Sequence, residues 1–162
     1  MAIPYRKPIT KIKTEEEMRK ILEPYFGKKE KGQYFIGAAF GPGWNDIVLD
    51  LHNKLVKENP EYFIAQIKEK FSTLRYYVGP MTEQGHMYIS DAENKSSQTC
   101  EECGRPGELR QDGYWIVTLC EWDRNVRRIN IVLARIRRSP YTLYWKVRFA
   151  INRWRRKRGY IQ

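Results

Sequence analysis

The sequence predicts an α+β fold: a small mixed domain with a zinc knuckle or ribbon-like hairpin, followed by a basic helical extension at its C-terminal side. Three observations predict it. Apolar residues recur at helical spacing in some segments and alternate in others, most clearly over residues 62–78. The cysteines fall as C-x2-C-x16-C, with an aspartate three residues after the last. The charge is also lopsided. The 162 residues carry a net +11, yet residues 1–120 are neutral, with 17 Lys/Arg and 17 Asp/Glu. Residues 121–162 hold 13 Lys/Arg against Glu121 and Asp123, which is the whole excess.

The elements follow in order. Residues 1–13 are basic, contain Pro4 and Pro8, and read as an arm. Thr14 opens a helix, because Glu17 three residues on completes a capping box and the TEEE carboxylates face the positive end of the helix dipole. Met18, Ile21, Leu22, Tyr25 and Phe26 give its apolar stripe, and Gly27 stops it. QYFIGAAF reads as a strand or buried extended segment, ended by Gly41-Pro42-Gly43. A second helix runs from about Trp44 to Lys57 on Trp44, Ile47, Val48, Leu51 and Leu55, and Asn59-Pro60 ends it. Residues 62–78 read as a hairpin turning near EKFS, with a continuous helix as the alternative. Gly79-Pro80 closes that segment, and a helix over about 87–97 leads into the cysteines. Beyond Cys103 a short hairpin carries Trp115, Val117 and Leu119. After Asp123 the chain reads as helix, and Ser139-Pro140 caps a last helix through about Arg158. The domains are thus an arm (1–13), a zinc-stapled α+β domain (14–123) and a basic, aromatic extension (124–162).

Three cysteines cannot all pair as disulfides. A C-x-x-C pair in a reducing compartment favours metal or redox use, which places the protein in a cytoplasm, and metal is preferred because no βαβ pattern surrounds the pair. A C-x-x-C turn brings two sulfurs to one point, and Gly104 permits the tight backbone that follows. Tetrahedral zinc accepts thiolates at about 2.3 Å and carboxylate oxygens at about 2.0–2.2 Å. Cys100, Cys103, Cys120 and Asp123 therefore form the expected ligand set, with His86 and His52 as alternatives for the fourth place. Four protein ligands leave no open position, so the zinc is expected to be structural.

Four segments carry a resemblance: GWNDIVLDL (43–51), QIKEKFSTLRYYV (66–78), ISDAENKSSQTCEECGRPGELR (89–110) and GYWIVTLCEWD (113–123). In this order they resemble a family of small bacteriophage and prophage zinc-knuckle proteins, over roughly residues 40–123. That family shows a Gly-Trp helix start, a KEKFG-x-LR segment, CxxCG and W-x-x-TLC. Here Ser72 stands where glycine is usual, and Asp123 where Cys or His is more common. The resemblance implies phage origin and a zinc knuckle, hence the cytoplasm of an infected bacterial host or a virion.

The extension has its own logic. Ile129, Val132, Leu133 and Ile136 form one apolar stripe, and Tyr144, Val147, Ile151 and Trp154 another. Arg135, Arg137, Arg138, Lys146, Arg148, Arg153, Arg155, Arg156 and Arg158 lie largely off them. Arg outnumbers Lys eleven to two after residue 120, which favours bidentate phosphate recognition, with aromatics available for base stacking. Nucleic acid is the expected partner. The competing readings are an acidic protein surface in a phage or host complex, a membrane-surface helix, and a solvated basic face. No window offers about 18 uncharged apolar residues, so no membrane span is expected. No catalytic motif is present. Asp46, Asp50 and Glu69 are the one set that would suit a metal-dependent nuclease, and carboxylates at i, i+4 are ordinary on an outer helix face. A non-catalytic binding protein is the expectation.

Overall fold

A computed structural model describes residues 3–4, 10–11, 14–27, 38–112, 115–138 and 148. The chain divides into two compact units: Tyr5–Asn125, and Met1–Pro4 with Val126–Gln162. The architecture is α+β, as the sequence predicts. Its elements are α1 (Glu15–Leu22), β1 (Ala38–Ala39), α2 (Asn45–Glu58), β2 (Ile64–Lys70), β3 (Thr73–Val78), α3 (Glu83–Ser96), β4 (Glu108–Asp112), β5 (Trp115–Leu119) and α4 (Glu121–Arg138). Most of the expected arm and most of the last helix lie outside the described residues.

The capping box forms: Glu17 N–H donates to Thr14 Oγ1 at 3.1 Å, and Thr14 N–H donates to Glu17 Oε2 at 3.3 Å. A three-stranded sheet has the order β1-β2-β3. β1 pairs parallel to β2, with Ala38 beside Ile67. The parallel sense follows from topology, since the chain leaves β1, crosses through α2 and returns as β2. Of the QYFIGAAF segment only Ala38 and Ala39 are described as strand. β2 and β3 form the antiparallel hairpin expected over 62–78, so the helical alternative is set aside. The turn falls on Phe71 and Ser72, both left-handed at φ 52° and 66°.

Ile64, Ile67, Leu74 and Tyr76 turn to one side of that hairpin and pack with Trp44, Ile47, Val48, Leu51 and Leu55 of the α2 region and with Ile89 and Ala92 of α3. α3 also covers the β3 edge. Leu74 N–H donates to Ser96 Oγ at 2.8 Å, and Tyr76 N–H donates to Glu93 Oε1 at 3.3 Å. These bonds occupy donors that an edge strand would otherwise offer to another chain.

α3 starts earlier than the sequence reading of 87–97. Thr82 caps it, accepting from Gly85 N–H at 3.1 Å. A glycine in the first turn hides the helix from propensity reasoning. In the structure Gly85 is buried, and a Cβ there would lie 2.3 Å from Met81 Cγ and 3.5 Å from Leu55 Cδ2. Its small size lets α3 close on Met81 and on α2. α4 also starts earlier than expected, at Glu121, because Arg124 N–H already bonds back to Cys120 O at 3.0 Å.

The core holds one polar network that no local pattern announces. His52 on α2 hydrogen-bonds through Nδ1 to the Tyr62 hydroxyl, which lies 3.2 Å from the Tyr76 hydroxyl. Tyr25 sets its ring edge-on to His52, centroids 4.5 Å apart. Burial pushes Tyr62 up to about 12 and lowers His52 below its ordinary 6.5. A histidine that resists protonation when folded binds fewer protons than its unfolded counterpart just below pH 6.5, so its contribution is complete above that pH and is lost as pH falls. Thermal melts between pH 8 and pH 5 are expected to show stability declining below about 6.5. In His52→Gln that decline is expected to be shallower over the same window. Identical pH slopes in the two proteins would contradict it.

The second unit is described by α4 from Val126 onward, by Arg148 and by residues 3–4. Ile3 N–H donates to Asn130 Oδ1 at 2.7 Å, and Asn130 Nδ2 donates to Ile3 O at 2.8 Å. The asparagine amide thus serves the Ile3 backbone as a strand partner would.

Candidate metal centre

Cys100 and Cys103 lie on a turn between α3 and β4. Cys100 O accepts from Gly104 N–H at 2.9 Å, and Cys100 N–H donates to Arg105 O at 2.8 Å. Gly104 is left-handed at φ 76°, which a side chain would disfavour, so the C-x-x-C-G order is a backbone requirement. Cys120 directly follows β5, and Asp123 stands three residues further on, in the first turn of α4. The positive end of the helix favours a carboxylate there.

The four side chains converge. Their ligand atoms all lie within 4.8 Å of one another, and this is the one cluster of three or more such groups among the described residues. Cys103 Sγ is 3.7 Å from Cys120 Sγ. Asp123 Oδ2 is 3.3 Å from Cys100 Sγ and 3.2 Å from Cys120 Sγ. An ion about 2.3 Å from each thiolate in a tetrahedron holds sulfurs about 3.8 Å apart, so the donors already stand close to ligating distance. Cys100, Cys103 and Asp123 are fully buried. The cluster can hold a metal ion.

No family model, curated protein or solved structure matches this chain.

The electrostatics of the site agree with its geometry. Burial raises both Cys100 and Cys103 above the ordinary thiol value. Backbone N–H groups of Cys120, Cys103 and Glu102 oppose this at Cys100, and the Arg105 backbone and side chain oppose it at Cys103. The turn is therefore lined with donors aimed at sulfur, which favour thiolate once a cation displaces the protons.

The centre is joined to the rest of its unit in part through the turn that precedes α2. Gly43 N–H donates to Glu101 O at 2.8 Å, and Trp44 Nε1 donates to Thr99 O at 2.7 Å. A Cβ on Gly43 would lie 2.1 Å from Cys100 O, and one on Gly41 would lie 2.2 Å from Glu101 O. The Gly41-Pro42-Gly43-Trp44 turn thus lies directly on the knuckle backbone. Sequence reasoning read these residues as a strand stop and a helix start and missed this role. On the other side, Thr118 Oγ1 donates to Ser72 O at 2.9 Å, and Glu101 N–H donates to Thr118 O at 3.0 Å.

The structure leaves the other candidates apart. His52 sits in the core network, and His86 is exposed on α3, so neither joins the cysteines. Their absence has a physical reason: Cys120 and Asp123 share one helical turn, whereas both histidines are carried by other helices. Asp46, Asp50 and Glu69 are not gathered into a cluster. Asp46 Oδ1 accepts from Lys11 N–H at 2.7 Å, and Glu69 Oε1 accepts from Ser72 N–H at 2.6 Å. Of the basic candidates, Arg135 and Arg148 are exposed and helical, and Arg137 and Arg138 end α4. Lys146, Arg153, Arg155, Arg156 and Arg158 lie outside the described residues. No helix among the described residues is long and apolar enough to cross a membrane.

Proposed function

We propose that this is a non-catalytic, zinc-stapled binding protein that contacts nucleic acid through α4 and the arginine-rich residues that follow. The observation that carries the proposal is the placement of charge. The entire +11 excess falls after residue 120, and it begins on the helix whose first turn supplies Asp123 to the metal centre. Three thiolates and one carboxylate suit a soft-to-borderline ion in a closed tetrahedral site, which favours zinc in a structural role. The resemblance of residues 40–123 to small phage and prophage proteins supports a phage accessory protein acting in an infected bacterium.

The test is fluorescence anisotropy of the full chain with labelled oligonucleotides over a salt series. Binding is expected to fall steeply with salt. Arg153→Ala with Arg155→Ala and Arg156→Ala is expected to weaken it evenly across sequences and to flatten the logarithmic salt slope by about two to three. Unchanged affinity in that variant would remove the arginine-rich segment from the reading.

One observation favours a second reading, a protein-interaction module of a virion or of a complex with a host enzyme. Trp122, Ile129 and Val132 on α4 are 53%, 45% and 52% exposed. A stable complex from infected cells that survives nuclease treatment would favour it.

A further inference from the structure

The β2–β3 hairpin has a second face. Its register sets Gln66 beside Tyr77, Lys68 beside Arg75 and Lys70 beside Thr73, while the alternate positions Ile67, Leu74 and Tyr76 enter the core. The face directed away from the helices is therefore basic, and it carries an aromatic ring. Arg75 is already held by Glu93 at 3.2 Å. Glu69 stands at the turn with its carboxylate on Ser72 N–H. Among the described residues, Lys68 and Lys70 are thus the cations of this face not paired with a carboxylate. Each lies over a ring instead: Lys68 Nζ is 5.4 Å from the Tyr77 centroid, and Lys70 Nζ is 5.4 Å from that of Phe71.

The turn adds an independent observation. A two-residue connection with both residues left-handed favours Asn-Gly. This chain places Phe71, 72% exposed, at φ 52°, and Ser72 at φ 66° with a buried hydroxyl that has no hydrogen-bond partner. A bulky aromatic in a left-handed position, turned out to water, adds nothing to the core, and its contact at the turn is the exposed one with Lys70. Strain retained without a folding benefit points to a role in binding.

We propose that this face binds single-stranded nucleic acid, with bases stacking on Tyr77 and Phe71 and phosphates meeting Lys68 and Lys70. Charge complementarity selects the occupant, and two separated rings select unpaired bases, because a duplex keeps its base faces stacked inside. Strand spacing of about 3.3 Å per residue sets the rings roughly 15 Å apart, a span of a few nucleotides. The inference rests on the nucleic-acid reading above and adds a second surface, belonging to the Tyr5–Asn125 unit, with its own preference for single strands.

The test uses the full chain with a labelled single-stranded oligonucleotide and its duplex. The variant is Phe71→Asn with Tyr77→Thr, which removes both rings while placing a residue tolerant of left-handed φ in the turn and a β-branched residue in the strand. Its melting temperature is expected to match or exceed that of the parent. Single-strand affinity is expected to fall at least about tenfold, while duplex affinity stays within about twofold. Unchanged single-strand affinity in this variant, with the arginine variant still impaired, would overturn this inference alone and leave the exposed rings to a protein partner. Equal losses on single strand and duplex would also overturn it. Failure of the full chain to bind either oligonucleotide would remove the proposed function and this inference together.

Discussion

Chelation of the zinc proposed for the Cys100, Cys103, Cys120 and Asp123 cluster is expected to unfold the knuckle, the β4–β5 hairpin and the start of α4. The reason is the composition of the local core. The second apolar cluster consists of Cys100, Cys103, Val117 and Leu119, with Cys120 against it, so the three cysteines make up much of it. A two-stranded hairpin is marginal without a larger apolar surface to cover it. Without a cation, Asp123 must also be buried beside sulfur, which is costly for a carboxylate. Zinc in finger peptides contributes about 10–16 kcal/mol of apparent binding energy, and a loss of at least about 5 kcal/mol is expected here. Elemental analysis should find one zinc per chain, and circular dichroism should lose helix and strand signal on chelation. Cys100→Ser and Asp123→Ala are expected to reproduce the loss. Asp123→Cys is expected to retain one zinc, since it completes a C-x2-C-x16-C-x2-C set at the same spacing. Full native helicity after metal removal would refute the structural role.

Gly43→Ala is expected to damage the metal centre although Gly43 supplies no ligand. The added methyl would stand 2.1 Å from Cys100 O and 2.5 Å from Gly104 N. Both are backbone atoms of the knuckle, and neither can swing aside as a side-chain tip does. Relief requires the Gly41–Trp44 turn and the knuckle to part, which breaks the Gly43–Glu101 bond and strains the Trp44–Thr99 bond. Overpacking that shifts backbone costs about 1–3 kcal/mol, and the upper end is expected here. Two readouts should move together: the melting temperature, and the zinc affinity measured by competition with a chromophoric chelator. A drop in stability with unchanged zinc affinity would show that the turn supports α2 without supporting the centre. Trp44→Phe isolates the indole bond, and its milder effect should run in the same direction.

Much of this molecule is legible locally. The capping box at Thr14 and Glu17, the apolar stripe of α2, the alternation that makes β2–β3 a hairpin and the knuckle spacing are all short-range patterns, and the structure contains each. Helix α3 was half legible, because Gly85 and a polar sequence hide its first turn while Thr82 alone signals it. The parallel pairing of β1 was not legible, because two alanines carry no register.

By itself the sequence determined the residue types of the centre, the spacing that lets Cys120 and Asp123 share one helical turn, and the concentration of positive charge after residue 120. Tertiary structure alone decided between Asp123 and the two histidines. It also joined His52 to Tyr62 and Tyr76, laid Gly43 and Trp44 on the knuckle, and left Tyr77 on an open, basic sheet face. The physical reason is chain distance. Backbone geometry within a turn or a helix repeats with a fixed period that composition reveals. Contacts such as Trp44 with Thr99, or Thr118 with Ser72, join segments 55 and 46 residues apart, and only the packing of whole elements brings them together.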